Sequence, residues 1–496
     1  MATRPLTIPL TMSYDTRGVA SYTAMVAGKD QRRENCQYVI TRTSVEGKPD
    51  IKLARRPGVT IDAGTYGAGT QVQYLVARDP NGTQNPTAWL LVKDGTISKA
   101  VTSATATTIL DNTNFYPRFW DLTDVSGTNY IVVQLQNSTT PTGAGNQEAW
   151  YSTAIATWTK ISDADFTGLD HRGKAEFMDG YMFQAEHRNR IYQSDINSLA
   201  NWDSANYISK SALSDPPQGL MRVNNKILLF GVDTVEPFYN AGNATGSVLS
   251  RVTGGQKNIG LGSVAGGGAS MVGKTHYYAR IGEWAFFIGR YSGSKNDASL
   301  IATNGTTFTK LSRPLEDTLL SSSTIYSVNA ISFGGKSAIA VQMTLPTATT
   351  QKWLMFFVDI NEWFLWTSTV YGPVNNTLHF AGATDPQKVY TFEATDTWQD
   401  NGTSFDMVVQ LKLPFNGFDW KTMTDFGVIA DTPGSTQNLG VQFSNDDGTT
   451  WTTSRDIDLS KENKRMYRCG TFRQRMVRLT HSGTAEVGLR ELSIGM

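Results

Sequence analysis

The stretch Lys226–Tyr239, KILLFGVDTVEPFY, decides the fold class of this 496-residue chain. After Lys226, the next four residues form a short continuous apolar run, and the last five residues combine β-branched and aromatic side chains. Runs of this length and composition are typical of strands rather than helices. Gly231 and Asp233 lie between the two runs and favour a turn. The stretch therefore predicts two neighbouring strands with a tight connection.

The same pattern continues along most of the chain and predicts an all-β protein. Further strands are predicted at Gln71–Ala77, Ala88–Val92, Tyr130–Leu135, Trp284–Ile288, Ala338–Met343 and Lys352–Val358. Four dipeptides can take the pair of positive φ angles that a type I′ hairpin needs; they are Asn81-Gly82, Asp94-Gly95, Asn304-Gly305 and Asn401-Gly402. Convincing helices are almost absent, and the best candidate is a short one with Ser312 as its N-cap and Pro314 in its first turn.

Three segments follow from the spacing of these strands. Over residues 61–405 the hairpins recur in units of roughly 40–50 residues, the scale of propeller blades, and predict a β-propeller-like domain. Residues 406–496 read as a C-terminal β-sandwich. Its strands are predicted at Asp406–Lys412, Gly427–Ala430, Gly440–Phe443, Trp451–Arg455 and Arg475–Thr480. Residues 1–60 are predicted to form a separate extended N-terminal arm, and an irregular multi-sheet protein is the alternative to the propeller.

Composition narrows the class of protein. With 44 basic and 44 acidic residues the formal net charge is zero, which argues against a surface that grips nucleic acid throughout. A conduit for DNA remains compatible, because a strongly basic lining would hold the DNA back. Cys36 and Cys469 are too few for a disulfide framework and are expected to be buried or idle thiols. No apolar run has the length of a secretory or membrane-spanning segment, so the protein is expected to stay in the cytoplasm where it is made, without a membrane span.

Residues Ser444–Trp451 match the Asp-box pattern S-x-D-x-G-x-x-W. In such a turn Asp446 accepts backbone N–H bonds, Gly448 takes a positive φ angle, and Trp451 packs beneath the turn, with Ser444 at its start. Sialidase-type propellers carry several of these turns at positions remote from their chemistry. One good copy indicates a structural turn here.

No residues in the sequence predict an enzyme, a cofactor or a metal site. None of the five histidines lies at zinc-ligand spacing or in a metalloprotease motif. The acidic pairs Glu316-Asp317 and Asp446-Asp447 are adjacent in sequence rather than opposed across a cleft, as glycosidase chemistry requires. We therefore expect a protein without catalytic residues.

A basic cluster stands near the C-terminus. Seven basic residues lie between positions 461 and 478 against one acid, Glu462; they are Lys461, Lys464, Arg465, Arg468, Arg473, Arg475 and Arg478. If Phe472–Leu479 is one strand, Arg473 and Arg475 share a face. Such a strand could contact phosphates in a DNA channel or an acidic partner subunit, and a solvated outer face is the alternative.

Four collinear stretches resemble the tail hub, or nozzle, proteins of short-tailed bacteriophages of enteric bacteria, also called packaged-DNA stabilisation proteins. Arg55–Gly58 stands where that family closes its N-terminal arm, and Asn189–Asp195 with Trp202 resembles a segment of its propeller. Pro217–Gly242 followed by Gly260–Val264 is the best match. Ser444–Trp451 with Arg468–Leu479 resembles its last sandwich.

The resemblance implies a structural virion protein with no catalytic residues to carry over. Its expected state is a homo-hexamer, a ring below the portal-adaptor (head-to-tail) ring. It would join that ring to tailspike or fibre proteins and to a plug or needle protein. The ring retains packaged DNA and forms the channel through which double-stranded DNA passes without sequence specificity. The expected location is the virion tail, after synthesis and assembly in the host cytoplasm.

Two alternatives remain open from the sequence. The Asp-box turn and the many aromatic residues suggest a glycan-binding or glycan-hydrolysing β-propeller that recognises a receptor. A bacterial surface-binding module is disfavoured because the sequence shows no signal peptide.

Overall fold

In a computed structural model, the residues described are 6–9, 32–43, 49–65, 70–76, 89–94, 97–101, 106–111, 115–137, 143–154, 157–211, 215–261, 278–291, 298–333, 335–345, 351–367, 370–373, 379–382, 388–392, 398–413, 415 and 419–496. The chain forms two units. One, called the sandwich unit, comprises 1–60, 352–368 and 391–496, and the other, called the propeller unit, comprises 61–351 and 369–390.

The described strands succeed one another along the chain with few helices between them. They begin with β1 Leu6–Pro9, β2 Arg32–Glu34, β3 Cys36–Thr43, β4 Pro49–Arg55, β5 Val59–Thr65, β6 Thr70–Val76, β7 Trp89–Asp94, β8 Ile97–Val101, β9 Ala106–Asp111, β10 Phe115–Val125, β11 Thr128–Asn137, β12 Gln147–Ala154, β13 Thr157–Lys160 and β14 His171–Met178. They continue with β15 Tyr181–Glu186, β16 Arg190–Ser194, β17 Trp202–Ser209, β18 Pro217–Val223, β19 Lys226–Gly231, β20 Val235–Asn240, β21 Leu249–Arg251, β22 Ile259–Gly260, β23 Tyr278–Ile281, β24 Trp284–Tyr291, β25 Ala298–Thr303, β26 Phe308–Lys310, β27 Thr324–Phe333 and β28 Lys336–Thr344. They end with β29 Gln351–Phe357, β30 Glu362–Thr367, β31 Val370–Pro373, β32 His379–Gly382, β33 Lys388–Phe392, β34 Gln399–Asp400, β35 Thr403–Ser404, β36 Met407–Lys412, β37 Lys421–Ala430, β38 Asn438–Ser444, β39 Arg455–Asp458, β40 Arg465–Phe472, β41 Met476–His481 and β42 Gly488–Gly495. The described helices are α1 Ala164–Thr167 and α2 Pro314–Ser322.

The chain is nearly all β, as the sequence predicts, and the propeller unit consists of successive antiparallel meanders. Four of its sheets have the orders β6-β7-β8-β9, β10-β11-β12-β13, β14-β15-β16-β17 and β18-β19-β20-β21. A fifth places β24, β25 and β26 in order, with β22 and β23 both paired to β24. Apart from β22, each strand of these five sheets pairs with its neighbour in sequence, which is the pattern of propeller blades.

Each of these sheets buries one face against the next sheet, as blades do. One core combines Val132 and Ala149 of the second meander with Phe177, Met182 and Trp202 of the third. Further cores join the third meander to the fourth and the fourth to the fifth. Burial is therefore repeated from sheet to sheet, so that a sheet with one open face gains its core from a neighbour. The β-propeller-like fold class is confirmed by this packing and topology.

Two-residue hairpin turns close the first strands of several meanders. Ser126-Gly127 follows β10 with φ angles of +54° and +79°, and Asp179-Gly180 follows β14 with +52° and +82°. Asn224 begins the turn after β18 and Gly282 the turn after β23, also with positive φ. In the first two turns both residues have a positive φ angle, and in the other two only the first residue has one. Both arrangements match the twist of paired strands.

The four dipeptides predicted to form such turns differ in outcome. Asn401-Gly402 takes the full pair, +47° and +83°, whereas in Asn304-Gly305 the glycine has a positive φ of +84° and the asparagine does not. Asn81-Gly82 and the glycine of Asp94-Gly95 lie outside the described residues.

The sandwich unit contains two sheets that pack face to face. One has the order β3-β4-β42-β37-β40, with β1 also paired to β42, and the other includes β29-β30-β2-β36-β41-β38-β39. Rings from the two sheets meet in the core, with centroids 5.5 Å apart for Phe426 and Phe443 and 5.1 Å apart for Tyr38 and Phe357. The predicted C-terminal sandwich is therefore present, and it recruits strands from three parts of the chain.

The division of the chain differs from the predicted one in two respects. The described strands of residues 1–60 do not form a separate arm, because β3 and β4 lie in a sheet with the C-terminal strands β37 and β42. The hairpin β29-β30, predicted within the propeller, belongs to the sandwich unit. Trp353 and Trp366 of this hairpin are fully buried and pack on Phe392, which explains why the aromatic run is there.

Two local predictions were wrong by a few residues. The strand predicted at Trp451–Arg455 begins only at Arg455, because residues 451–454 still belong to the turn. The N-cap of α2 is Arg313 rather than Ser312. Its backbone N–H donates to the Glu316 carboxylate at 3.0 Å, while the Ser312 hydroxyl accepts from the backbone of Leu300.

A buried arginine connects the three parts of the sandwich unit. Arg56 is fully buried, and its guanidinium bonds both carboxylate oxygens of Asp400 at 2.9 and 2.6 Å. The remaining N–H groups donate to the Pro57 and Thr367 carbonyls and to the Asn35 side chain. All five donors of an arginine are thereby used. The guanidinium also lies 3.7 Å from the centroid of the Phe405 ring.

We predict that Asp400→Asn destabilises the sandwich unit by roughly 3–5 kcal/mol, because it leaves the Arg56 guanidinium buried without its counter-charge. Lys461→Gln, which removes an exposed ion pair with Asp458 at 3.5 Å, is the control and should change stability by less than about 1 kcal/mol. Urea denaturation followed by tryptophan fluorescence measures both. Equal, small effects of the two variants would show that the buried pair is dispensable.

A second prediction concerns pH. His171 is buried, its Nε2 bonds the Phe166 carbonyl at 2.9 Å, and burial lowers its pKa from 6.5 to about 4. Between these values the unfolded chain binds more protons, so stability falls as the pH drops. The loss from this residue should reach about 2 kcal/mol at pH 5. His171→Gln should make the denaturation midpoint less dependent on pH between 7 and 5, and an unchanged slope would refute the assignment.

Candidate functional site

The Asp-box turn is a closed network of hydrogen bonds. Asp446 accepts from the Thr450 N–H at 2.9 Å and from its hydroxyl at 2.5 Å, and the Ser444 hydroxyl donates to Asp446 at 2.7 Å. Gly448 has a φ of +84°, and the Trp451 indole donates to the Gly448 carbonyl at 3.0 Å. The hydrogen bonds from Thr450 and Ser444 lower the pKa of Asp446 to about 2. The carboxylate is thus occupied in holding the turn.

The basic cluster is divided between the segment before β40, the strands β40 and β41, and the bend that joins these strands. Arg465 pairs with Asp425 at 2.8 Å, Lys464 donates to the Thr432 hydroxyl, and Lys461 is largely exposed. Arg468 has a φ of +57° within a bulge of β40. The cluster is therefore not one continuous basic stripe.

Arg475 is a structural residue, which corrects the interpretation of that segment as one strand. β40 ends at Phe472 and β41 begins at Met476, so that Arg473 and Arg475 lie in the bend between them. Arg475 is 4 % exposed and donates to the carbonyls of Cys469 and Thr471 and to the Asn445 side chain. Its guanidinium lies between two buried rings, 4.8 Å from Phe443 and 4.3 Å from Phe472.

The other two arginines of this segment stack on tryptophans. The Arg478 guanidinium lies 3.8 Å from the Trp451 ring, and that of Arg473 lies 4.9 Å from the Trp420 ring. Trp420 is 66 % exposed and Tyr467 is 56 % exposed. With Arg468 and Arg473, both exposed, these residues form what we call the β40 surface: Trp420, Tyr467, Arg468 and Arg473.

β40 ends the described part of its sheet, and its outer edge is protected. The Arg455 guanidinium donates to the carbonyls of Tyr467 at 2.7 Å and Arg468 at 3.2 Å. The bulge at Arg468 and Gly470 twists the strand locally. An edge with occupied carbonyls, a bulge and charged side chains does not template strand addition. Contacts made here use side chains, of which Trp, Tyr and Arg are the types enriched in interface hot spots.

A cavity of about 200 Å³ lies within the propeller unit, where the first strands of successive meanders end. The first strands of neighbouring sheets lie beside each other, β14 next to β10 and to β18. The charged residues lining the cavity come from the ends of these strands, from β23 and from one turn; they are Asp121, Asp124, Glu176, Asp179, Arg222 and Arg280.

Glu176 is the buried acid of this cavity. It is 1 % exposed, accepts a hydrogen bond from the Tyr278 hydroxyl on Oε1, and has no partner for Oε2 in the described part of the chain. Burial raises its pKa, against the opposing effect of Lys174 and Arg280. Lys174 itself pairs with Asp121 at 2.6 Å. A carboxyl group with one unused oxygen is unusual, since buried polar atoms normally find partners.

These cavity residues belong to no recognisable motif in the sequence. Glu176 and Asp179 are separated from Arg222 and Arg280 by tens of residues, and blade-to-blade proximity has no local sequence signal. The available hint was the Asp179-Gly180 dipeptide, which marks the end of β14 and hence the end at which a propeller collects residues from several blades.

Three further features of the described part of the chain bear on function: metal ligands, membrane-spanning helices and thiols. No group of three or more His, Cys, Asp or Glu residues is placed to hold a metal ion there. None of the helices among these residues is long and apolar enough to cross a membrane. Cys36 and Cys469 are both buried and free, as expected, and burial raises the pKa of each thiol.

We predict that Arg475→Ala and Arg473→Ala differ strongly. The first removes three hydrogen bonds and a side chain between two core rings, and should lower the unfolding free energy by roughly 3 kcal/mol. The second truncates an exposed side chain and should change it by less than about 1 kcal/mol. Chemical denaturation of the two variants in parallel distinguishes them, and similar losses would mean that the bend does not separate their roles.

Comparison with known proteins gives no family. The sequence matches no family model and no curated protein. Among solved structures, similar folds include BamB from Moraxella catarrhalis, with a TM-score of 0.33, 12 % identity, 66 % of this chain and 99 % of that chain covered. An exo-β-1,3-galactanase from Phanerochaete chrysosporium gives a TM-score of 0.27 at 8 % identity, covering 92 % and 100 %. A glycoside hydrolase gives 0.26 at 10 % identity, covering 76 % and 97 %. At these TM-scores none of the likenesses carries an argument about function, and the fold class rests on the sheet topology of the chain itself.

Proposed function

We propose that this protein is a structural, non-enzymatic component of a short-tailed phage virion: the hexameric tail nozzle that joins the portal-adaptor ring to the tail appendages. It retains packaged DNA and forms the channel for its ejection. The proposal rests on the collinear sequence resemblance to tail hub proteins. One structural observation supports it, namely an exposed surface of the composition that assembly interfaces use.

That observation is the β40 surface. Trp420 at 66 % and Tyr467 at 56 % exposure are large aromatic residues left open on a well-packed sandwich, and Arg473 stacks on the first of them. Interface hot spots are enriched in these three residue types. Because the neighbouring strand edge is protected, the surface favours side-chain docking of a neighbouring subunit or tail protein over strand exchange.

The charge distribution agrees with a channel that DNA passes through rather than binds. The chain has no net charge, and several of the clustered basic residues are committed to neighbours, as Arg465 is to Asp425 and Arg475 is to backbone carbonyls. Affinity for DNA grows with the number of phosphates neutralised. A surface with few free cations lets DNA slide.

The nozzle proposal predicts a position in the virion. Phage particles isolated from infected cells and labelled against this protein should carry it on the tail axis, with sixfold density distal to the portal. A closed ring is expected because a head-to-tail contact that does not close grows into a filament. Label on fibres away from the axis, or its absence from virions, would contradict the proposal.

The β40 surface supplies the matched variants. Trp420→Ala should reduce the incorporation of the protein into tails. Trp284→Ala is the control, because it truncates an indole that is 39 % exposed in the propeller unit, and it should leave incorporation unchanged. Both variants should keep the wild-type circular dichroism spectrum. If Trp420→Ala gave normal tails, the β40 surface would not be a contact on which tail assembly depends.

A further inference from the structure

We propose that the cavity at the strand ends of the propeller unit binds a single neutral sugar unit through its hydroxyl groups. This binding site goes beyond the proposed structural function and does not depend on it. The supporting features are the position of the cavity, its mixed set of donors and acceptors, and the unused oxygen of Glu176.

The position is the one at which a propeller gathers side chains from several blades. β10, β14, β18 and β23 contribute lining residues, each from its last few positions before a two-residue turn. Since these turns are short and fixed in conformation, the side chains converge from a rigid frame. A preformed concave site of this kind is where small ligands are usually found.

The lining supplies both acceptors and donors, with acceptors in excess. The carboxylates of Asp121, Asp124 and Asp179 each accept a hydrogen bond within the chain, from Lys174, the Gly127 N–H and the Asn240 side chain, and a carboxylate can accept more than one. The exposed Arg280 guanidinium supplies donors. Arg222 lies at the wall, where it donates to the Phe177 carbonyl at 2.6 Å and so holds two neighbouring strands. Each hydroxyl of a sugar both donates and accepts, which this mixture can satisfy.

Glu176 gives the site a polar floor. Its carboxyl is oriented by the Tyr278 hydroxyl on one oxygen, and the other oxygen is buried and has no partner among the described residues. Leaving a buried polar atom unpaired costs stability, so a ligand group that reached this oxygen would recover part of that cost. A hydroxyl suits it, because it can donate to a carboxylate or accept from a protonated carboxyl.

Other ligand classes fit less well. A divalent cation needs several clustered oxygen ligands, and no group of acidic or histidine residues in the described ranges is placed to hold one. An anion would be repelled by the carboxylates of Asp124, Asp179 and Glu176. A diamine would be repelled by the guanidinium groups of Arg222 and Arg280. The cavity of about 200 Å³ is smaller than a drug-sized pocket. The rings of Phe177 and Tyr181, which also line the cavity, provide a surface for the carbon face of a sugar ring.

The test is direct binding of four probes to the full chain by titration calorimetry: glucose, galactose, mannose and N-acetylglucosamine. At least one should bind the wild-type protein. Arg280→Gln changes an exposed side chain and should weaken the binding of that sugar by about tenfold, which corresponds to one lost hydrogen bond to a charged group. Glu176→Leu should weaken it at least as much, and its melting curve is recorded to confirm folding.

Arg188→Gln is the matched control, because Arg188 belongs to the same unit, is 68 % exposed and does not line the cavity. It should bind the sugar as the wild-type protein does. Inorganic phosphate and putrescine are titrated as competing ligand classes. Binding of either of these without any hexose, binding of none of the four sugars, or sugar binding that Arg280→Gln leaves unchanged would overturn the proposal, even if Glu176→Leu fails to fold.

Discussion

The paired guanidinium and carboxylate of Arg56 and Asp400 hold together a sandwich whose strands come from distant parts of the chain. The two residues are 344 positions apart, and the arginine also bonds Thr367 and Asn35. A buried charge of this kind is costly unless every donor finds a partner, and here every donor does. The consequence is specificity of assembly: the sandwich unit can satisfy this group only when its early, middle and late segments have all arrived.

This constraint explains which parts of the fold the sequence could predict. Strands such as Lys226–Gly231 depend on local composition, and short runs of aliphatic and aromatic residues between turn residues identify them. The origin of the sandwich strands does not depend on local composition. Nothing near Arg56 in the sequence shows that Thr367 and Asp400 are among its partners. A separate arm is therefore the interpretation that the first 60 residues favour on their own.

The candidate sites show the same limit. The Asp-box turn is predictable because all its hydrogen bonds fall within eight residues, whereas Arg473 and Arg475 look equivalent in sequence and differ completely in burial. The difference arises from a bend that directs one guanidinium between Phe443 and Phe472 and the other onto an exposed indole. The cavity around Glu176 had no local signature, because its residues belong to separate blades.

The two-residue turns after β10, β14, β18 and β23 have a consequence for how this protein can change. In the turns after β10 and β14 both residues have a positive φ angle, which most side chains disfavour, so that this end of the propeller unit is poorly suited to a loop that folds over the cavity. A longer connection, residues 138–146, joins β11 to β12. Variation in length between related chains should therefore accumulate at connections such as this one, and grafted peptides or fluorescent tags are best inserted there, where they leave the cavity mouth open.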